Sequence, residues 1–355
     1  MAENKKLIRS INVTSTDISC PGCGATNIQF DPATTTLSCP FCGQSSPLPT
    51  PQIGAIANEL DFNSALQRAN VEWGKTKKLI VCSNCGGESL YDSEQVTGSC
   101  PFCGSSSVTP AAETNQIMEP NAVIPFSVSR DQLQDLFINF LHKKSLVNKK
   151  VFNCKLEQIV GIYLPFWTYD TFTASYYKAI RYNGVGNKLD DVNGDWYENI
   201  DDVLIFASDR VRHPFIKNIL DYDCATAVPY SPEYLAGIPA ERYTLGLNSG
   251  WDQAKQKIKD KLKKDVHRYN RHLSVTDIET FYYNVKFRCL LAPMYLAKYR
   301  YGKDTFLVAI NGQTGKTYCD APTILKKIIG LTVLGVFVAS AIEVAAILLY
   351  AMYFR

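Results

Sequence analysis

The sequence predicts four regions in series: two small metal-stabilised β-modules at the N-terminus, an α+β domain with a duplicated strand-pair design, and one C-terminal transmembrane helix. Three observations carry this reading. Eight of the twelve cysteines fall into two copies of one spacing pattern. The middle of the chain is rich in Tyr and Phe and alternates in short apolar runs. The last stretch, Ile328 to Phe354, holds a single charged residue, Glu343.

The cysteines come first because they fix the chemistry. Cys20-Pro-Gly-Cys23-Gly is followed after 15 residues by Cys39-Pro-Phe-Cys42-Gly. Cys82-Ser-Asn-Cys85-Gly is followed after 14 residues by Cys100-Pro-Phe-Cys103-Gly. A Cys-x-x-Cys turn points two sulfurs at one ion, and two such turns at this separation supply the four thiolates of a zinc ribbon. The glycine after each second cysteine permits the positive φ that turns backbone N–H groups toward sulfur. A disulfide framework is the rival reading. It requires an oxidising compartment, and Met1 to Asp17 lacks the apolar core of a signal peptide. The expectation is therefore two Zn2+ sites, Cys20/Cys23/Cys39/Cys42 and Cys82/Cys85/Cys100/Cys103. Four sulfurs close the tetrahedron and leave no position for a reacting water, so both sites are expected to be structural.

The boundaries follow from composition. Residues 1–16 read as a flexible polar tail, 17–45 as ribbon one, and 46–77 as a linker with a short helix over Asp61–Trp73. Residues 78–106 read as ribbon two and 107–120 as a Ser/Thr/Pro-rich linker. The α+β domain is expected over 121–322. A helix capped by Ser127 or Ser129 runs through Lys143, with Leu133, Leu136, Phe137, Phe140 and Leu141 on its buried face. Strands are expected at Ile162–Tyr169 and Phe172–Ala179. The design repeats at Leu291–Tyr299, Thr305–Ile310 and Lys316–Tyr318. Each copy opens on an apolar-x-Pro step, hence the expected duplication. Trp251–His272 reads as a helix.

Charge separates the chain further. Leu189–Asp202 is acidic and is expected to be loop, whereas Lys255–Arg271 carries eight Lys and Arg residues. The formal charge of +3 falls to about −1 once two ions are each held by four thiolates. That argues against a dedicated nucleic-acid binder. The basic helix reads either as a solvated face paired with the acidic segment or as a contact for anionic lipid headgroups.

Residues 324–355 are expected to anchor the chain. About 20 apolar residues already span the hydrocarbon layer. Lys326 and Lys327 at the near end favour the cytoplasmic side, and Tyr350, Tyr353 and Phe354 make an aromatic belt. The bulk of the chain then lies in the cytoplasm beside the cell (inner) membrane, held by a single pass. Gly335, Ala339 and Glu343 share one helix face, which predicts association of the span with itself or with a partner helix.

No catalytic constellation is apparent. Asn311-Gly-Gln-Thr-Gly-Lys316-Thr317 ends like a phosphate loop, but Ile310 stands where the first glycine is required. His142, His213, His267 and His272 are scattered. Cys154 and Cys289 adjoin strand-like runs and read as inert core residues.

Taken together, the Cys-Pro-x-Cys-Gly knuckles, Ile124-Pro-Phe126, Gly161-Ile-Tyr-Leu-Pro-Phe-Trp167, Pro229-Tyr230 with Leu235-Ala-Gly237, and Val308 to Lys316 resemble a bacterial family of membrane-anchored, TFIIB-type zinc-ribbon proteins. Members often carry a label borrowed from the primosomal helicase, whose ATPase core this chain lacks. The resemblance implies association with membrane-stress systems, namely phage-shock protein A and SPFH (flotillin-like) proteins, and no enzymatic activity. Cys20–Gly43 and Cys82–Gly104 contain no Lys or Arg, so protein contacts through exposed Phe41 and Phe102 are expected in preference to nucleic acid. The expected function is a non-enzymatic, membrane-anchored adaptor. A membrane-tethered nucleic-acid-binding ribbon protein is the alternative.

Overall fold

The computed structural model describes residues 20–25, 28–31, 36–47, 57–64, 77–83, 88–92, 100, 105–110, 118–144, 147–183, 185–208, 216–235, 238–322 and 340. The expected N-terminal tail and transmembrane helix lie outside them. Among the described residues, no helix is long and apolar enough to cross a membrane.

Among the described residues, two sheets are built. The first is the ribbon-one sheet, β1 (Gln29–Asp31), β2 (Thr36–Ser38) and β3 (Ser45–Pro47), all antiparallel. The second contains everything else. Its spine is a pair of very long strands, β9 (Glu157–Tyr182) and β14 (Leu273–Tyr301), antiparallel along nearly their whole length. Each leads into a hairpin partner, β10 (Lys188–Ile200) on β9 and β15 (Asp304–Asn311) on β14. The duplicated design thus lies in one sheet, and Leu164 stands opposite Ala292. The Pro165 and Pro293 steps are therefore related by a local two-fold through that pair. Proline in mid-sheet costs a ladder bond. Here each proline carbonyl faces away from the β9–β14 seam, accepting from the Ala207 and Gly312 N–H groups. A strand residue's N and C=O share one side, so the seam itself loses no donor.

β9 is one continuous strand where the sequence suggests two. At Asp170 the number of covered faces changes, not the backbone. Residues Ile162–Thr171 are buried on both faces, whereas exposure alternates beyond. On one face of the centre, Ile162, Leu164, Phe166, Leu290, Ala292 and Met294 pack under the 216–228 segment. On the other face, Tyr163, Leu291 and Tyr295 pack with helix α1 (Leu133–Lys143), through Leu133, Phe137 and Leu141. Ser129 caps the single turn that leads into α1, its N–H bonded to Gln132 Oε1 at 3.0 Å. Leu136 and Phe140 are partly buried beside this core.

The outer arm, β9 beyond Thr171 with β10 and the start of β14, has one covered face. Helix α2 (Leu247–Tyr269) lies over it through Ile258, Leu262 and Val266. This helix starts four residues before the predicted Trp251 and ends three before His272. The early start brings Gly250 against Trp167 and Tyr169, where an added Cβ would stand 2.5 Å from the Tyr169 hydroxyl oxygen. Of the acidic segment expected as loop, 189–200 is strand β10, whereas Asp201 and Asp202 follow it outside any strand. Its alternation puts Val192, Trp196 and Glu198 inward and Asp191, Asp195 and Tyr197 outward.

Two expected linkers are partly built into the sheet. Instead of opening a helix, Leu60–Asp61 forms β4 against Lys286–Phe287, and Phe62 packs on Phe287 and Trp251. A Ser64 N–H bond to Asp61 Oδ1 closes a turn there; residues 65–73 lie outside the described set. β7 (Val108–Pro110) pairs with β5 (Lys77–Cys82), which pairs with β6 (Glu88–Asp92). β6 in turn meets Ala240–Glu241, so this hairpin extends the main sheet. The domain is α+β with sheet predominant.

Candidate metal centre

Sequence-local turns position the first four cysteines. Cys20 N–H bonds the Ala25 carbonyl and Gly24 N–H the Cys20 carbonyl. Cys39 with Gln44, and Gly43 with Cys39, repeat the arrangement at 2.9 Å. Gly24 and Gly43 sit at φ +73° and +71°, the left-handed conformation that glycine adopts without strain. The two knuckles thus converge. Cys20 and Cys42 Sγ are 3.5 Å apart, Cys23 and Cys39 Sγ 3.6 Å, and all four sulfurs lie within 4.8 Å of one another. Four sulfurs at about 2.3 Å from one tetrahedral zinc would stand about 3.8 Å apart, so the donor set fits the ion.

The electrostatics agree. The Gly22 N–H, 3.4 Å from Cys20 Sγ, is the largest influence holding that thiol down to about 6. At Cys23 the Ala25 N–H also favours the thiolate, but the sulfurs of Cys39, Cys42 and Cys20 outweigh it and push the thiol up to about 12. Sulfurs this close cannot all ionise without a cation between them. A divalent ion removes that conflict and displaces the remaining protons.

The second quartet is described in part. Cys82 closes β5, and both Cys82 and Cys100 are buried, as Cys20 and Cys39 are. Cys100 N–H bonds the Ser105 carbonyl at 2.8 Å, repeating the bond that closes the Cys20 and Cys39 knuckles. Cys85 and Cys103 lie outside the described residues, as does Phe102. Phe41 is 71% exposed.

The remaining cysteines and histidines form no second centre among the described residues. Burial pushes the Cys289 thiol up, and raises Cys224 and Cys319 to about 12. Cys154 Sγ donates to the Arg300 carbonyl. His142 stacks on Phe152, and His267 Nδ1 contacts the Leu273 carbonyl; His213 lies outside the described residues.

Asn311–Lys316 is a hairpin turn. Asn311 Oδ1 accepts from the Gln313 and Thr314 N–H groups, and its amide donates to the Ile219 carbonyl. Lys316 Nζ pairs with Asp221. Three of the segments that carry the resemblance, through Phe126, Tyr163 and Gly312, meet at Phe126. Its ring packs on Tyr163 and Tyr295 at 5.3 and 4.8 Å, and an added Cβ on Gly312 would stand 2.6 Å from it. These motifs determine packing rather than bring reactive groups together.

One polar cluster is not apparent from the sequence. Arg288, buried in the sheet, ion-pairs with Glu59 and Asp202 at 2.9 Å each, and exposed Lys286 also binds Glu59. Asp170 Oδ1 accepts the Asp202 N–H. The local signal is weak: Asp201-Asp202 reads as solvated loop, and nothing nearby in the chain links it to Glu59.

Residues 77–109 match the A2L zinc ribbon domain. The chain is 24% identical over 231 residues to the uncharacterized protein YdjG of Bacillus subtilis (strain 168), a match covering 58% of this chain and 64% of that protein, just under two thirds of its length. No solved structure matches. The chain thus carries a segment that matches a zinc ribbon and, before it, the cluster of Cys20, Cys23, Cys39 and Cys42.

Proposed function

We propose that this protein is a non-enzymatic, membrane-anchored adaptor. Two structural Zn2+ sites, Cys20/Cys23/Cys39/Cys42 and Cys82/Cys85/Cys100/Cys103, hold its ribbons. Residues 324–355 fix it to the cytoplasmic face of the cell membrane, where it recruits protein partners of the phage-shock or SPFH type that the family resemblance implies.

The observation that carries this reading is an open aromatic face. On the side of the outer arm away from α2, Phe172, Tyr176, Tyr197, Phe281 and Tyr283 are all exposed. Tyr197, Ala174 and Phe281 stand in one row across three strands, and Phe172 packs on Tyr283. A contiguous exposed apolar face marks an interaction surface, and Tyr and Phe are favoured anchors in protein interfaces. Asp195 and Glu279 flank Tyr176 in the register, and acidic groups repel the phosphates of a nucleic acid. The closed four-sulfur geometry gives the metal no catalytic role. On α2, Lys261 pairs with Glu198 and Asp265, and Arg268 with Asp265. Lys263 and Lys264 make no ion pair among the described residues and remain for lipid headgroups.

The test is affinity purification of the full-length chain from membranes in mild detergent. It is run beside Tyr197→Ser/Phe281→Ser and beside a variant with Cys20, Cys23, Cys82 and Cys85 changed to Ser. A specific protein partner that is lost from the variants is the expected result. Nucleic acid recovered without a protein, seen in the 260/280 nm absorbance ratio, would replace the adaptor with a membrane-tethered nucleic-acid binder.

A further inference from the structure

The Glu59–Asp170–Asp201 cluster contains none of the cysteines and none of the exposed aromatic residues. Its three side chains come from three places: the segment before β4, the middle of β9, and the turn after β10. One carboxylate oxygen from each lies within 4.8 Å of the other two. Oxygens that share one hard cation at about 2.3–2.6 Å stand at most about 5 Å apart, so the spacing fits a single ion.

Proximity alone would not distinguish this cluster from ordinary surface acids. Asp170 does. It is only 8% exposed, and while Oδ1 accepts the Asp202 N–H, Oδ2 is buried beside the Asp201 carboxylate and meets no hydrogen-bond donor among the described residues. A buried carboxylate oxygen left without a donor is costly, and a cation is the group that relieves it. The charge count points the same way. Glu59, Asp170, Asp201 and Asp202 face two cations, Arg288 and Lys286. With all four carboxylates ionised, two negative charges stay uncompensated, which is the charge of one divalent ion.

We infer that Glu59, Asp170 and Asp201 bind one hard divalent cation of the magnesium and calcium class. The ion fastens the 57–64 segment, which joins the two ribbons, to the central sheet. Water completes its coordination on the side of exposed Asp201. This site stands whether or not the adaptor reading holds, because it involves neither the ribbons' sulfurs nor any partner.

The test titrates CaCl2 and, separately, MgCl2 into the zinc-loaded full-length chain in detergent, followed by calorimetry and by thermal unfolding. The expected result is one ion per chain with a rise in melting temperature for at least one of the two salts. Asp170→Asn should abolish binding. Asp201→Asn alters an exposed residue, leaves the fold intact, and should weaken binding by roughly tenfold or more. Lys286→Ala removes a competing cation and should tighten it. Absence of heat and of any melting shift at about 10⁻³ M of either salt, near the weak end of such sites, would overturn the inference. Binding that Asp201→Asn leaves unchanged would overturn it as well, since the ion would then sit elsewhere. In either case Asp170 is left sharing a proton with its neighbours.

Discussion

The ribbons and the paired long strands solve the problem of making a rigid β-structure in opposite ways. Ribbon one has three strands of three residues each, too little sheet to stand alone, and its geometry converges on four sulfurs. The β9–β14 pair needs no ion. It buries Ile162–Thr171 and much of Arg288–Ala297 on both faces, and the hydrophobic effect over that area holds it. Metal supplies stability where the apolar area is too small; area supplies it where the strands are long. The two are also joined. Cys20, Ile28, Leu37 and Cys39 belong to the same core as Tyr234, Leu235 and Phe137. Loss of the ion should therefore leave the sheet standing but open one flank of it.

The largest effect should come from the sulfurs. Cys20→Ser with Cys39→Ser should remove one zinc per chain and unfold residues 20–47, because the binding free energy of such a site, about 10–16 kcal/mol, is its folding energy. Zinc quantification and limited proteolysis check this, with the 118–322 region expected to remain resistant. The reverse experiment is Phe126→Ala. It empties the point where Gly161, Tyr163, Tyr295 and Gly312 meet and should cost about 3–5 kcal/mol. Denaturant unfolding should show that loss while zinc content is unchanged. If instead both variants lose zinc and sheet together, the two regions fold as one unit.

A smaller effect should appear with pH. Loss of hydration, first, and then its acidic neighbours raise Asp170 from its ordinary 3.8 to about 7. The folded chain therefore holds this proton more tightly than the unfolded chain. Its stabilising contribution is complete below about pH 4 and is lost as pH rises through about 7. Without added divalent ions, the wild type should lose stability across that window relative to Asp170→Asn, by at most about 4 kcal/mol and by less where solvent screens the carboxylate. Melting temperatures of the pair from pH 4 to 8 read it. The smallest effect on the fold should come from α2. Lys263→Ala with Lys264→Ala should change stability by no more than about 0.5 kcal/mol. Binding to anionic vesicles should weaken by about 1 kcal/mol per lysine removed.

The same contrast explains how far the sequence reveals the molecule. The cysteine knuckles are local: four residues and a glycine define each, so the ligand set of ribbon one is legible from spacing alone. The buried face of α1 is legible for the same reason, since Leu133, Phe137 and Leu141 lie within three turns. β9 is recognisable but looks cut in two, and of β14 only Leu291–Tyr299 is legible, because hydrophobic periodicity reports how many faces are covered rather than where the chain stops. Leu189–Asp202 reads as loop because its acids outweigh its alternation. The Glu59–Arg288–Asp202 cluster cannot be read at all. Its members are 86 and 229 residues from Arg288, and the pairing of β4 with β14, with the Asn121 amide bond to the Asn58 carbonyl, brings Glu59 to the sheet. The linkers look mobile because Ser, Thr and Pro dominate them, yet short pieces, 57–64 and 108–110, find edges to pair with.

We propose that both ribbons are closed structural zinc centres on a sheet that folds by its own burial. Zinc K-edge absorption on the purified full-length protein, with metal quantified on the same sample, decides this. Two zinc ions per chain are expected, each with four sulfurs at about 2.3 Å and no light-atom ligand. A first shell containing nitrogen or oxygen, or one zinc shared between the quartets, would contradict the proposal and reopen a catalytic role for the metal.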